Sequence, residues 1–228
     1  MFLALAILTA PAHAAWGVTD FGSSVVVMGS TTADQLLIWE DEGQVAIYDE
    51  DYSQIYLGSA SSISVYAMGG GDSITADTDT VEIFADLDTG DDSFEQQGSA
   101  PVRVYGDSGA DEIVGGSGDD ELYGGDDEDL IEGEDGEDYI EGGDDADEIY
   151  GGDQGDEIHG GSGGDYIEGG WGGDYIRGND GADTIYAGKG NDEIYGNSGK
   201  DKLAGEDGSD DCYGGKGSDK YSRCEWMQ

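Results

Sequence analysis

Thirteen aspartates stand nine residues apart without a miss, at Asp111, Asp120, Asp129, Asp138, Asp147, Asp156, Asp165, Asp174, Asp183, Asp192, Asp201, Asp210 and Asp219. Five residues before each lies a glycine in twelve cases: Gly106, Gly115, Gly124, Gly133, Gly142, Gly151, Gly160, Gly169, Gly178, Gly196, Gly205 and Gly214, with Ala187 the exception. Two residues after each sits a nonpolar or aromatic side chain, Ile or Leu from Ile113 to Leu203, then Cys212 and Tyr221. The unit is G-G-x-G-x-D-x-U-x, with U apolar. Carboxylates repeated at one spacing, among glycines whose bends expose backbone carbonyls, present oxygen donors, the ligand set of a hard cation.

A nine-residue unit with one obligatory apolar side chain is too small to bury anything alone, so it must stack on copies of itself. The glycines mark the bends, since glycine takes positive φ without steric cost. Where the second position is not glycine it is Asp107, Glu134, Asn179, Asn197 or Glu206, of which the two glutamates suit a left-handed bend least. The fourth position is glycine in ten units and Asp127, Asp145 or Gln154 in the others, which puts those three turns in question. The D-x-U-x segment reads as a short strand with U inward, and two units make one coil of about eighteen residues.

On these residues the segment Gly106 to Ser222, about half of the chain, resembles the RTX (repeat-in-toxin, hemolysin-type) calcium-binding repeat family. The resemblance implies an all-β fold, a parallel β-roll or β-helix solenoid, whose turns hold Ca2+ between loops eighteen residues apart. Carried over residue by residue, it makes the thirteen periodic aspartates and the twelve first-position glycines the expected metal site. The aspartates then form two stacks, one from Asp111 to Asp219 and one from Asp120 to Asp210, with room between loops for up to about 11 ions. Asp126, Asp135, Asp144, Asp153, Asp180 and Asp207, at the third position, are either further ligands or solvated loop residues.

Charge supports the same reading. Residues 106–222 hold 36 acidic and 6 basic residues, a net of −30, and eleven divalent ions would leave about −8. Without ions, self-repulsion and the cost of ordering so many glycines should keep the roll unfolded, so binding and folding are expected to be coupled.

The whole chain has 228 residues, 43 glycines, two prolines and a net charge of −46, which excludes nucleic acid and anionic membranes as partners. Residues 1–14 read as a cleaved signal peptide, with Ala12-His13-Ala14 as the cleavage site before Ala15, the alternative being a buried apolar strand. Such a segment departs from the family's usual uncleaved C-terminal export signal, a route that the six residues after the last repeat put in doubt. Residues 15–105 carry β-branched runs such as QLLIWE and SISVYAM. Ile38, Ile47, Tyr56, Val65, Ile74 and Ile83 keep the nine-residue spacing, and Phe94, Val104 and Ile113 follow at eleven, ten and nine. That spacing, unless coincidental, predicts one β-helix from about Val25 onward, with residues 15–105 as its ion-poor cap, residues 106–222 as the calcium-binding roll and 223–228 as a tail. In this register Asp72 and Asp92 extend the first aspartate stack. Cys212 and Cys224 suggest a disulfide closing the last coil, the alternative being a core cysteine standing in for isoleucine, and Tyr221 and Trp226 could cover the open end.

Two serine motifs, Gly106-Asp-Ser-Gly-Ala110 and Gly160-Gly-Ser-Gly-Gly164, fall on repeat positions. The only histidine beyond the signal segment, His159, sits at an outward strand position, so no nucleophile and base are paired in the sequence and no catalytic residue is assigned. Outward tyrosines such as Tyr123, Tyr139 and Tyr175 suggest cross-strand stacking, or else a surface for glycans or cells. All five lysines lie between Lys189 and Lys220 while acid is densest from Asp119 to Glu148, a polarity that would favour head-to-tail self-association. The expectation is a secreted, extracellular, non-enzymatic calcium-binding protein of bacterial type. The alternative is a calcium-dependent adhesin or a matrix or surface-layer component.

Overall fold

The computed structural model describes residues 17–49 and 54–227. The signal segment at residues 1–14 lies outside them, and so does the side chain of Trp226. The described residues form two long sheets of fourteen and twelve strands with no helix between them. From Ser62 onward the chain alternates between the sheets, so each strand pairs in parallel with the strand one full coil away. This is the expected β-solenoid, and it winds through about nine turns.

In the repeats the register follows the nonapeptide. Ile113, Ile131, Ile149, Ile167, Ile185 and Leu203 pair in one row, and Leu122, Ile140, Ile158, Ile176, Ile194 and Cys212 in the other. All are 0–1% exposed. Each such side chain contributes about 1.5–3 kcal/mol on burial. Because only one side chain per unit faces inward at the strand centre, the core is a pair of aliphatic rows with glycine on its flanks.

The solenoid continues without a break toward the N-terminus, where its coils lengthen. The hydrogen bonds from aspartate N–H to the next coil's carboxylate span 18 residues from Asp111 to Asp129, 19 from Asp92 to Asp111, 20 from Asp72 to Asp92 and 38 from Asp34 to Asp72. The first coil is the longest because Gln35–Asp41, Gln44–Asp49 and Gln54–Gly58 form an antiparallel meander at the end of one sheet. Gly17–Asp20 closes the other sheet in the same way, antiparallel to Ser24–Met28. Antiparallel edge strands thus cap the coil stack.

The nine-residue spacing before Pro101 misplaces several core positions. Ala85, not Ile83, stacks between Val65 and Val104, and Ile83 falls in the neighbouring row with Ile63 and Val102. Leu36, not Ile38, heads the row of Ile74, Phe94 and Ile113. Ile38, Ile47 and Tyr56 lie opposite one another within the meander instead of on successive coils. A strand plus a tight turn also repeats at about nine residues, so spacing alone does not separate a hairpin from a half-coil.

At the C-terminal end Cys212 and Cys224 form the expected disulfide, with Cα atoms 5.9 Å apart. Trp226–Met227 then adds a last parallel strand beside Asp211–Tyr213. Tyr221 is half-buried against the final core residues, and its hydroxyl accepts a hydrogen bond from the Gly214 N–H at 3.1 Å, a capping position.

Candidate metal centre

The periodic aspartates line the two edges of the roll, at the start of each strand. From Asp111 to Asp210 every one of them is at most 3% exposed, and Asp219, in the last coil, is half-buried. Within each stack the N–H of one aspartate donates to Oδ1 of the aspartate one coil on. The distances are 2.8–3.2 Å from Asp111 to Asp219 and 2.8–3.1 Å from Asp120 to Asp210. The two predicted stacks are therefore two continuous hydrogen-bonded ladders.

One oxygen of each carboxylate is used in this way and the other is not. Oδ2 of the twelve aspartates from Asp111 to Asp210, and of Asp72 and Asp92, is buried without a hydrogen-bond partner. An unmatched buried acceptor costs about 1–3 kcal/mol, and more when charged. A ladder of such atoms asks for a proton or a cation at each rung. By contrast, the buried amide of Gln96, in the coil next to the repeats, reaches Thr78 and Ala100 through its NH2 group. The unmatched oxygens belong to the aspartate ladder and are not a sign of loose packing.

The first-position glycines sit against these oxygens. A Cβ on Gly106 would collide with both Oδ2 of Asp111 and the Gly124 carbonyl, and a Cβ on Gly142 would collide with Asp147 and the Gly160 carbonyl in the same way. Carboxylate and carbonyl oxygens from adjacent coils thus converge, and glycine keeps the space between them open. Among the described residues no group of three or more His, Cys, Asp or Glu side chains is placed to hold a metal ion. A cation between loops would accordingly draw on backbone carbonyls as well as one aspartate from each coil, an all-oxygen set that suits a hard divalent ion.

Burial raises the ladder carboxyls well above their usual range, and neighbouring charges add to it. Asp147 is pushed up to about 8 by burial and by Asp129, Asp165 and Asp145, against the hydrogen bond from Asp129. Asp156 also reaches about 8, with Asp138, Asp174 and Glu137 adding to burial. Asp111, Asp120, Asp174 and Asp183 lie at about 7, and Asp129, Asp138, Asp165 and Asp192 at about 6, burial being the largest cause in each.

The turns that sequence put in question keep a positive φ but not the value of the glycine turns, whose positive-φ fourth positions run from 130° at Gly109 to 159° at Gly217. Asp127, Asp145 and Gln154 take φ of 81°, 73° and 86°, and Asp107, Glu134, Asn179, Asn197 and Glu206 take 65–75°. A non-glycine residue there costs about 1–2 kcal/mol, so these loops make a left-handed bend of their own at a local cost. The third-position aspartates, Asp126, Asp135, Asp144, Asp153, Asp180 and Asp207, are all exposed, and Asp126 and Asp144 line an open acidic groove with Asp88 and Asp107. Their carboxylates stand in solvent, apart from the buried ladders.

On the outer face of one sheet, aromatic rings run in an unbroken row from Tyr66 through Phe84, Tyr105, Tyr123, Tyr139, His159, Tyr175 and Tyr195 to Tyr213, centroids 4.6–6.5 Å apart. The rings pack on one another, and Tyr105 and Tyr123 are stacked within 2° of parallel, which is the cross-strand arrangement expected to stabilise a sheet. His159 lies between Tyr139 and Tyr175, with Nε2 3.1 Å from Glu157, as an outward strand residue.

The model of the RTX calcium-binding nonapeptide repeat matches the chain in four copies, over residues 105–140, 132–167, 168–203 and 186–221. No curated protein matches it significantly. The matched span covers just over half of the chain and coincides with the two aspartate ladders, and on that basis the chain belongs to the RTX calcium-binding nonapeptide repeat family.

Proposed function

We propose that this is a secreted, non-enzymatic calcium-binding protein whose glycine and aspartate repeats take up Ca2+ as they fold into the roll. The observation that carries the reading is the row of buried, unpartnered Oδ2 atoms beside the first-position glycine carbonyls. The thirteen ladder aspartates and their twelve glycines would hold the ions, up to about 11 between adjacent loops of the two stacks. Residues 106–222 would be the ion-binding unit and residues 15–105 its cap, with residues 223–228 as the tail. Millimolar calcium outside the cell suits sites of this type, and no helix among the described residues is long and apolar enough to cross a membrane. Bound calcium supplies positive charge where the carboxylates converge. The chain supplies the oxygens, the spacing and a dry core that fixes both.

Equilibrium dialysis against calcium, with the bound metal counted per chain, tests this. Several ions per chain at about 10 mM calcium, lost on substituting the ladder aspartates by asparagine, is the expected result. Binding of none or one would overturn it.

A further inference from the structure

Outside the nonapeptide repeats, two loops reproduce the metal-binding turn on coils of different length. In the loops 67–72 and 87–92 the second position has positive φ, 80° at Met68 and 69° at Asp88, as at Asp107 with 70°. The fourth position is glycine, Gly70 and Gly90, at 142° and 146°. A Cβ on Gly90 would overlap the Gly70 carbonyl, and one on Gly109 the Gly90 carbonyl, as one on Gly181 would overlap that of Gly163. The loops are joined as in the repeats: the Gly70 N–H donates to the Thr89 carbonyl at 2.7 Å and the Gly90 N–H to that of Ser108 at 2.8 Å.

The sixth position of these loops is Asp72 and Asp92, 2% and 3% exposed. The Asp72 N–H donates to Oδ1 of Asp92 at 2.5 Å, and the Asp92 N–H to Oδ1 of Asp111 at 2.8 Å. Oδ2 of both is buried and unpartnered, the state of every buried ladder aspartate in the repeats. The first position holds Ala67 and Leu87 instead of glycine. A Cβ is compatible with the ladder there, because Ala187 occupies that position before Asp192, whose Oδ2 is likewise unpartnered. One coil further on the pattern stops. Oδ2 of Asp34 accepts the Ser30 N–H and hydroxyl, both at 3.0 Å, so this carboxylate is satisfied by protein alone. On the opposite edge the ladder stops earlier, where Val102 occupies the aspartate position and its N–H donates to Asp120.

We propose that Asp72 and Asp92 are calcium ligands, so that the ion ladder on this edge runs two coils past the repeats into the N-terminal region. The inference rests on the calcium reading of the repeats. It gives the N-terminal region a metal-dependent part, where composition alone suggests an ion-poor cap, and makes the roll asymmetric, with one ion row longer than the other.

The test uses the whole chain and the variants D72N/D92N and, as an exposed control, E82Q. Asparagine keeps the Oδ1 acceptor and removes the charge. Calcium bound at saturation is counted by equilibrium dialysis, and hydrogen exchange is followed over residues 62–96. The proposal expects the double variant to bind about two ions fewer than the parent and E82Q, and residues 62–96 to exchange at least about tenfold faster in calcium than in the parent. If the double variant disrupts folding, the single variants make the same case, D72N losing about one ion and D92N, which borders two inter-loop sites, about two. Equal counts in parent and double variant would overturn the proposal while leaving calcium binding by the repeats intact. A parent that binds no calcium would remove both.

Discussion

Replacing Asp156 by asparagine should move stability in opposite directions with and without calcium. Asp156 is 3% exposed, its Oδ1 takes the Asp138 N–H at 2.9 Å, and its Oδ2 has no partner. Burial, with the charges of Asp138, Asp174 and Glu137, raises its carboxyl to about 8. In the unfolded chain the group ionises near 3.9, so at pH 7 the metal-free fold must either keep a proton or hold an unpaired charge. At about 1.4 kcal/mol per pH unit over about three units, this penalty is at most about 4 kcal/mol, and solvent screening at the loop edge reduces it to about 2 kcal/mol. Asparagine retains the Oδ1 acceptor and carries no charge. In chelator the variant should therefore fold more readily, by about 2 kcal/mol, whereas in calcium it loses a charged ligand and should be less stable than the parent by a similar or larger amount. Far-UV circular dichroism reads both, with an osmolyte titration to induce folding in chelator and urea to unfold the protein in calcium. A shift of the same sign in both media would refute the assignment of Oδ2 to a cation.

Further outcomes follow from the same geometry. Because the ladder carboxyls are raised in the fold to about 6–8, their contribution to metal-free stability is fully present below the unfolded value near 4 and is lost as pH rises through 6–8. The chain in chelator should thus gain β-structure on acidification from pH 8 to pH 4, and calcium affinity should fall over the same window as protons compete; a pH-independent spectrum would contradict this. Gly181→Ala, at φ 155° with a Cβ that would overlap the Gly163 backbone carbonyl, should cost several kcal/mol in calcium. Gly164→Ala, whose Cβ would be 3.6 Å from the nearest carbonyl, should change stability by less than about 0.5 kcal/mol, both read from urea midpoints. Cys212→Ser with Cys224→Ser should remove about 3 kcal/mol and loosen the strands at residues 202–213 first, as seen by hydrogen exchange, and equal protection of those strands would show the bridge to be idle. Ile158→Ala, at 0% exposure between Ile140 and Ile176, should cost about 2–5 kcal/mol, measured with calcium saturating.

The repeat half was legible because one rule, a coil of two nonapeptides, fixes the turn, the strand and the core position together. Once the spacing of Asp111 and Asp129 is known, the pairing of Ile113 with Ile131 follows from the two-residue period of a strand. The two ladders were legible for the same reason. Their hydrogen bonding was not, because nothing in the residue types says that Oδ1 would be spent on the next coil's N–H and Oδ2 left over. In the N-terminal half the coil length changes from 38 to 20 to 19, so counting by nine drifts out of phase and puts Ile83 where Ala85 stands. Gly90 and Asp92 still mark their turn, since positive φ and a buried carboxylate are local demands that survive a change in coil length. The meander of Gln35–Asp41, Gln44–Asp49 and Gln54–Gly58 has a positive-φ turn too, at Glu42 and Gly43, but that turn makes a hairpin, and the apolar spacing around it imitates a half-coil.

The central claim is that oxygen ligation by calcium, and not apolar packing alone, brings the roll together. The direct measurement is far-UV circular dichroism of the chain from Ala15 to Gln228 at pH 7, titrated from chelator to about 10 mM calcium with magnesium as control. A cooperative transition from coil to β-structure with calcium and not with magnesium is the predicted result. A spectrum already rich in β-structure in chelator and unchanged by calcium would contradict the account.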